Sequence, residues 1–207
     1  EKKLKVRSFF IMDENFLLNK KRALRLLELI ETNKKSWLLS VFSSAGAIKN
    51  YSMYQLVRMG IGWIWIGLEG KESEYSKLNG VNTFALIKEL QENGIRVLGS
   101  SIIGLENHTE ENIKEVIDFA VKYNTVFHQF MLYTPMAGTP LYEELSLKGD
   151  IYSQTDFSFA DSHGQYKFNY RHGQIKDGKE EKILLQAFTE DFQANGPSIF
   201  RLIGTLL

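Results

Sequence analysis

Five short apolar runs recur along the chain at intervals of about 30 residues, the length of one strand-plus-crossover-helix unit, and the first four are each followed by a segment with helical character. The runs are Val6 to Met12, Trp37 to Phe42, Trp63 to Ile66, Ile95 to Ile103 and Val126 to Tyr133, centred near residues 9, 39, 65, 98 and 129. Between them, Lys20 to Glu31 sets Ala23, Leu24, Leu27 and Ile30 at helical spacing, and Tyr51 to Met59 does the same with Met53, Leu56, Val57 and Met59. Asn82 to Asn93 is a helix stopped by Gly94. Thr109 opens another, lined by Ile113, Val116, Ile117 and Ala120, although Asn112 stands where a capping box has Glu or Gln. Crossovers of one hand build either a doubly wound sheet or a barrel. Trp63-Ile64-Trp65-Ile66 is almost continuously apolar, the pattern of a parallel strand covered on both faces.

The rhythm is lost after residue 147. Residues 148 to 175, with Gly149-Asp150, Ser153, Asp156, Ser158 and Asp161-Ser162-His163-Gly164, read as a long surface excursion, and Lys179 to Asn195 as a last amphipathic helix ending at Gly196-Pro197. The expected organisation is therefore a βα region over 1–147 and an irregular loop with helical extension over 148–207, packed on it. The sequence begins with Glu1 and closes on the apolar run Arg201 to Leu207, which is expected of a piece cut from a longer protein.

Composition narrows the function. Twenty-five basic and twenty-five acidic residues leave no net charge, so a nucleic-acid partner is disfavoured. No stretch reaches the roughly 18 apolar residues of a membrane span, and a cytoplasmic location is expected. There are no cysteines, which excludes disulfides, a thiolate-held zinc, a cysteine nucleophile and any iron–sulfur cluster ligated from within this sequence. The four histidines show no close metal-ligand spacing, and Ser43 and Ser44 lack the Gly-x-Ser-x-Gly context of a hydrolase elbow.

Ligands of parallel α/β arrays gather at the carboxyl ends of the strands. Those ends carry Asp13-Glu14-Asn15, Ser43-Ser44-Ala45-Gly46, Gly67-Leu68-Glu69-Gly70, Gly104-Leu105-Glu106-Asn107-His108 and Thr134 to Pro140. Each acidic residue alone reads equally well as a helix cap or dipole partner, and each glycine as turn punctuation. Together they suit a ligand that offers an amino group and ribose hydroxyls to carboxylates and a flat ring to close backbone. Trp63, Trp65, Phe127 and Phe130 read as core and helix contacts.

The same segments resemble the radical S-adenosylmethionine (radical SAM) superfamily, in particular its cobalamin-binding Fe–S oxidoreductases and methyltransferases. Ile11-Met12-Asp13-Glu14-Asn15-Phe16 is similar to the acidic second-strand motif, Ile66-Gly67-Leu68-Glu69-Gly70 with Leu78-Asn79-Gly80-Val81 to the fourth-strand segment, and Ile102-Ile103-Gly104-Leu105-Glu106 to the fifth-strand element. Tyr133 to Tyr142 matches the sixth-strand exit. Two departures stand out: Ser100 and Asn107 replace a glycine and a glutamate of the fifth-strand pattern, and the Cys-x-x-x-Cys-x-x-Cys triplet is absent.

The resemblance implies an α/β fold, a partial TIM-type (βα) barrel of parallel strands truncated at its first strand. It implies S-adenosylmethionine and, in the full-length protein, a [4Fe–4S] cluster as cofactors, with cobalamin held by an upstream domain of the same chain. Asp13 and Glu14 would face the amino group, Ser44 and Glu69 the methionine and ribose, and Ile102 with Gly104 the adenine. The whole protein would generate a 5′-deoxyadenosyl radical that abstracts hydrogen from an unknown small-molecule substrate, whereas this piece alone would not turn over. Two other readings remain open: a cluster-free, degenerate barrel that serves as a binding or interaction domain, and a lyase or isomerase using Asp13, Glu69 and Glu106 as acid–base groups or magnesium ligands.

Overall fold

The computed structural model describes Glu1 and residues 3–68, 82–153 and 166–205. Glu69, Gly70, the Leu78 to Val81 segment, and Asp156, Ser158 and Asp161 to Gly164 lie outside the described residues. Five parallel strands form one sheet: β1 (Ser8–Ile11), β2 (Leu38–Ser43), β3 (Ile61–Gly67), β4 (Arg96–Ile103) and β5 (Phe127–Leu132), in the order β1-β2-β3-β4-β5. Ser8 pairs with Leu38, Val41 with Ile64 and Trp65 with Leu98, with a register shift between Leu39 and Ser40. Consecutive order with no reversal is the progression of a barrel and lacks the switch point of a doubly wound sheet. The expected partial-barrel class is the one observed.

The helices are α1 (Lys20–Thr32), α2 (Ala45–Ile48), α3 (Met53–Arg58), α4 (Thr83–Glu92), α5 (Ile113–Val121), α6 (Pro140–Lys148), α7 (Glu180–Asn195) and α8 (Ser198–Gly204). Their starts follow from local chemistry. Asn19 accepts from the Arg22 amide, Ser52 and Gln55 form a capping box, and Asn82 accepts from the Ala85 amide. Before α5, the Thr109 hydroxyl accepts from the Asn112 amide at 3.2 Å while the Asn112 carbonyl oxygen accepts from the Thr109 amide at 2.8 Å. The asparagine thus completes the reciprocal box one methylene shorter than glutamine. Three helices run where the sequence suggested loop or strand exit: α2 follows the Ser44 cap, α6 begins with Pro140 at its first turn, and α8 follows Pro197.

The chain divides into two compact units, the first of residues 1–100, 123–128 and 195–207, the second of residues 101–122 and 129–194. In the first, alternate strand residues Val41, Ile64, Ile66 and Val97 are buried, as are Ala23, Leu27 and Ile30 of α1, Leu56 of α3, and Ile87 and Leu90 of α4. The opposite face of these strands is not a second core. Phe10, Phe42 and Trp65 form a ladder with ring centroids 5.1 and 4.9 Å apart, and Trp63 stacks on Phe127 at 5.6 Å. Phe10, Trp63, Trp65, Leu98 and Phe127 line a cavity of about 350 Å³. The expectation that Trp63, Trp65 and Phe127 are helix contacts is therefore corrected: period-two alternation persists beneath an apolar sequence because the second face is aromatic rather than polar.

In the second unit Ile103, Ile113, Ile117, Phe130, Leu132, Phe168, Tyr170, Ile175, Ile183, Leu184 and Ala187 form one core. Phe130 is in the core as its sequence context suggested, edge-on to Phe188 at 5.2 Å. Residues 166–175, expected on the surface, instead supply Phe168, Tyr170 and Ile175 to that core and bury His172. Their hydrogen-bonding partners, described below, make that burial possible.

Candidate functional site

At the carboxyl ends of β1 and β2 a turn of 3₁₀ helix, Phe16–Leu18, presses Phe16 and Leu17 into the core of the first unit and leaves the three residues before it at the strand exit. The Tyr51 hydroxyl donates to the Leu17 carbonyl at 2.8 Å and holds this turn in place, and burial pushes that phenol above its usual range. Asp13 is already engaged: one carboxylate oxygen accepts from the Asn15 amide at 3.1 Å and the other pairs with Arg22 at 2.6 Å. Arg22 also donates to the Phe16 carbonyl, so one guanidinium ties helix α1 to both sides of the turn. Glu14 is exposed.

Asn15 joins the two strand ends. Its Oδ1 accepts from the Ser43 hydroxyl at 3.0 Å and from the Ser44 amide at 3.3 Å, and its Nδ2 donates to Ser44 Oγ at 3.1 Å. Ser44 Oγ accepts a second bond from the Ala47 amide at 3.3 Å. Asp13, Glu14 and Ser44 are thus brought to one edge, and Asn15 is the member that sequence reasoning passed over. Its signal was present in Asp13-Glu14-Asn15, but only the carboxylates were weighed.

Ile102 and Gly104 belong to the second unit. Ile102 is 46% exposed at the end of β4. Gly104 is closely surrounded. The Tyr170 hydroxyl donates to its carbonyl at 3.2 Å, and its amide donates to His108 Nδ1 at 3.0 Å, as the Leu105 amide does at 3.3 Å. A Cβ at Gly104 would stand 2.4 Å from two atoms of the Phe168 ring. Burial raises the Tyr170 phenol well above its usual range, which keeps it protonated and donating. The His172 Nδ1 accepts from the amides of Gln174 and Ile175, so its Nε2 carries the hydrogen and donates to the Leu105 carbonyl at 3.3 Å. His108 and His172 are accordingly buried backbone partners.

A [4Fe–4S] cluster does not fit these residues. It needs thiolates, the sequence has none, and among the described residues no group of three or more His, Cys, Asp or Glu side chains is gathered to hold a metal. At the β1–β2 edge the polar groups on offer are the exposed Glu14 and the Ser44 hydroxyl, which accepts from the Asn15 side-chain amide. Among the described residues no helix is long and apolar enough to cross a membrane.

The arrangement defines a parallel βα-repeat protein with a polar strand-exit site. No family model matches the chain. It is 27% identical over 186 residues to bacteriochlorophyllide d C-8(2)-methyltransferase of Chlorobaculum tepidum, an alignment that takes in 86% of this chain and 39% of that protein. Among solved structures it is similar to the radical S-adenosylmethionine methyltransferase TsrM of Kitasatospora setae, described with cobalamin and a [4Fe–4S] cluster bound, at a TM-score of 0.57 and 15% identity over 70% of this chain and 31% of that one. It is also similar to the radical SAM enzyme coproporphyrinogen III oxidase (HemN) of Escherichia coli, at a TM-score of 0.52 and 17% identity over 86% of this chain and 38% of that one. The chain thus shares the fold of these two radical SAM enzymes. It spans less than two fifths of the length of the curated relatives it matches.

Proposed function

We propose that this chain is the S-adenosylmethionine-holding part of a radical SAM enzyme of the oxidoreductase or methyltransferase kind, whose cluster ligands are supplied by residues outside these 207. The observation that supports the reading is the β1–β2 edge, where Asn15 bonds both Asp13 and Ser44 at the strand exits and Glu14 is exposed in the same turn, in a chain that shares its fold with a radical SAM enzyme. Glu14 faces the ligand's ammonium, with Asp13 setting the local charge and geometry through Arg22 and the Asn15 amide. Ser44 meets the methionine portion. Glu69 is assigned to the methionine and ribose on the motif alone, and Ile102 offers an exposed aliphatic surface to a flat ring. Gly104 then acts chiefly as the close-packed seat of Phe168. When bound, the cluster would supply the electron for cleavage of the sulfonium; the part of this chain is to bind, orient and shield the ligand. An upstream cobalamin domain in the whole protein belongs to the same proposal.

The test is reconstitution of the longest natural chain that contains this sequence with iron and sulfide, followed by assay of 5′-deoxyadenosine or methylated product under reductant. Release that is lost in Glu14→Ala and Ser44→Ala supports the reading. A cluster-loaded protein with neither product, or one indifferent to both substitutions, refutes it. The lack of cysteine also favours a specific second reading, a degenerate barrel that binds without chemistry. It predicts that the longest natural chain has no cysteine triplet and takes up no iron.

A further inference from the structure

We propose that Asn15 is a positioning residue that fixes Ser44 as an obligate hydrogen-bond donor, and that the ligand group Ser44 serves is a carboxylate. This rests on the reading that the β1–β2 edge receives S-adenosylmethionine, and it specifies which end of the amino acid lies against β2.

The assignment follows from counting donors and acceptors. The Ser44 backbone N–H can only donate, so the atom of Asn15 that faces it at 3.3 Å is the carbonyl oxygen, which fixes the amide's orientation. The Ser43 hydroxyl, on a residue only 6% exposed, donates to the same oxygen at 3.0 Å and reinforces it. The Asn15 NH₂ must then point at Ser44 Oγ, 3.1 Å away, and donate to it. Ser44 Oγ also accepts from the Ala47 amide at 3.3 Å. A serine hydroxyl has two acceptor positions and one hydrogen. Both acceptor positions are filled from within the protein, and among the described residues the hydrogen has no acceptor.

Ser44 can therefore serve only a group that accepts. An ammonium or an amide N–H placed there would meet no lone pair, whereas a carboxylate oxygen would receive a charge-assisted bond. The Arg22 guanidinium offsets the charge of Asp13 at 2.6 Å and lowers the repulsion an anion would otherwise meet at this edge. The four-residue helix α2 is too short to add a useful field, so the hydroxyl itself carries the selectivity. The ammonium of the same ligand is left to Glu14, across the turn.

The experiment is equilibrium dialysis of the 207-residue chain against S-adenosylmethionine and against its decarboxylated analogue, which keeps the nucleoside, sulfonium and amine. The chain should prefer the carboxylate-bearing ligand by about tenfold or more, the worth of one hydrogen bond to a charged group. Ser44→Ala should abolish that preference and leave affinity for the analogue unchanged. Asn15→Asp should do the same, because both its oxygens accept and the Ser44 hydrogen turns inward to meet them. A merely structural role for Asn15 would weaken both ligands together and leave the ratio intact, which would overturn the proposal. Should Asn15→Asp fail to fold, Ser44→Ala decides alone. As a second probe, L-methionine should shift the Ser44 and Asn15 amide resonances and 3-(methylthio)propylamine, which lacks the carboxylate and offers no oxygen acceptor, should not. Methionine acting at Ser44 without any binding of S-adenosylmethionine would sustain this inference and refute the broader reading. S-adenosylmethionine binding that is insensitive to Ser44 would do the reverse, and binding of neither ligand would end both.

Discussion

Replacing Gly104 with alanine tests the packing of the β4 exit, and its cost divides into two parts that can be measured separately. The residue sits at φ +83°, where an L side chain is strained by roughly 1–2 kcal/mol. In addition, the new Cβ would lie 2.4 Å from Cε1 and Cζ of Phe168, whose ring is 3% exposed and has little room to retreat. Overpacking of this kind costs about 1–3 kcal/mol. The sum, roughly 2–5 kcal/mol, is a large share of the 5–15 kcal/mol that holds a typical domain together. Gly149 supplies the control: it has φ +75° at the end of α6, and nothing within 4 Å of the position its Cβ would take. Urea denaturation followed by circular dichroism should show Gly149→Ala losing only the strain, and Gly104→Ala losing more by the overpacking increment. Combining Gly104→Ala with Phe168→Leu should recover part of the difference. Equal losses at the two glycines would refute the claim that Phe168 is seated on Gly104.

Thr109→Ala should destabilise by about 1 kcal/mol in thermal denaturation, because it removes the acceptor for the Asn112 amide before α5. Tyr170→Phe should cost about 1 kcal/mol at neutral pH through loss of the bond to the Gly104 carbonyl. It should also flatten the alkaline limb of the stability curve. The folded phenol is raised above its ordinary value of 10.0, so above that pH the unfolded chain releases a proton that the native chain keeps, and native stability falls as pH rises further. Urea titrations from pH 8 upward should show a steeper decline in the parent than in Tyr170→Phe. Arg22→Gln, which breaks a partly exposed pair with Asp13, should cost under about 1 kcal/mol and lose its effect in high salt. It should also weaken binding of S-adenosylmethionine more than that of its decarboxylated analogue, because the ligand carboxylate then meets an Asp13 no longer offset by Arg22; an unchanged ratio would contradict the charge assignment there.

The fold was largely legible because βα units declare themselves through spacing. Four of the five strands lie within the runs read from the sequence or a residue beyond, β3 starts two residues ahead of its run at Ile61, and helices such as α1 and α4 begin at side-chain caps that can be seen in the letters. What stayed hidden depended on partners distant in sequence. Trp63 and Trp65 look like interior residues of a doubly covered strand, and only the neighbours Phe42 and Phe127 show them to be an aromatic face lining a cavity. Phe168, Tyr170 and His172 sit in a stretch whose glycines and polar residues suggest surface, yet each finds its partner more than 60 residues away at Gly104 or Leu105. At the candidate site, Asp13 and Ser44 could be named from the strand-end rule, but Asn15 emerged only when β1 and β2 were set side by side in parallel register. A hydrogen-bond network of this sort has no periodicity from which to read it.

Hydrogen–deuterium exchange of the 207-residue chain with and without S-adenosylmethionine measures where the ligand sits. Protection concentrated in residues 11–16 and 42–48 is the expected result, because binding at the β1–β2 edge would quench opening of the short turn and of α2. Saturable binding with protection confined to other segments, or no protection anywhere at saturating ligand, would contradict the assignment of that edge.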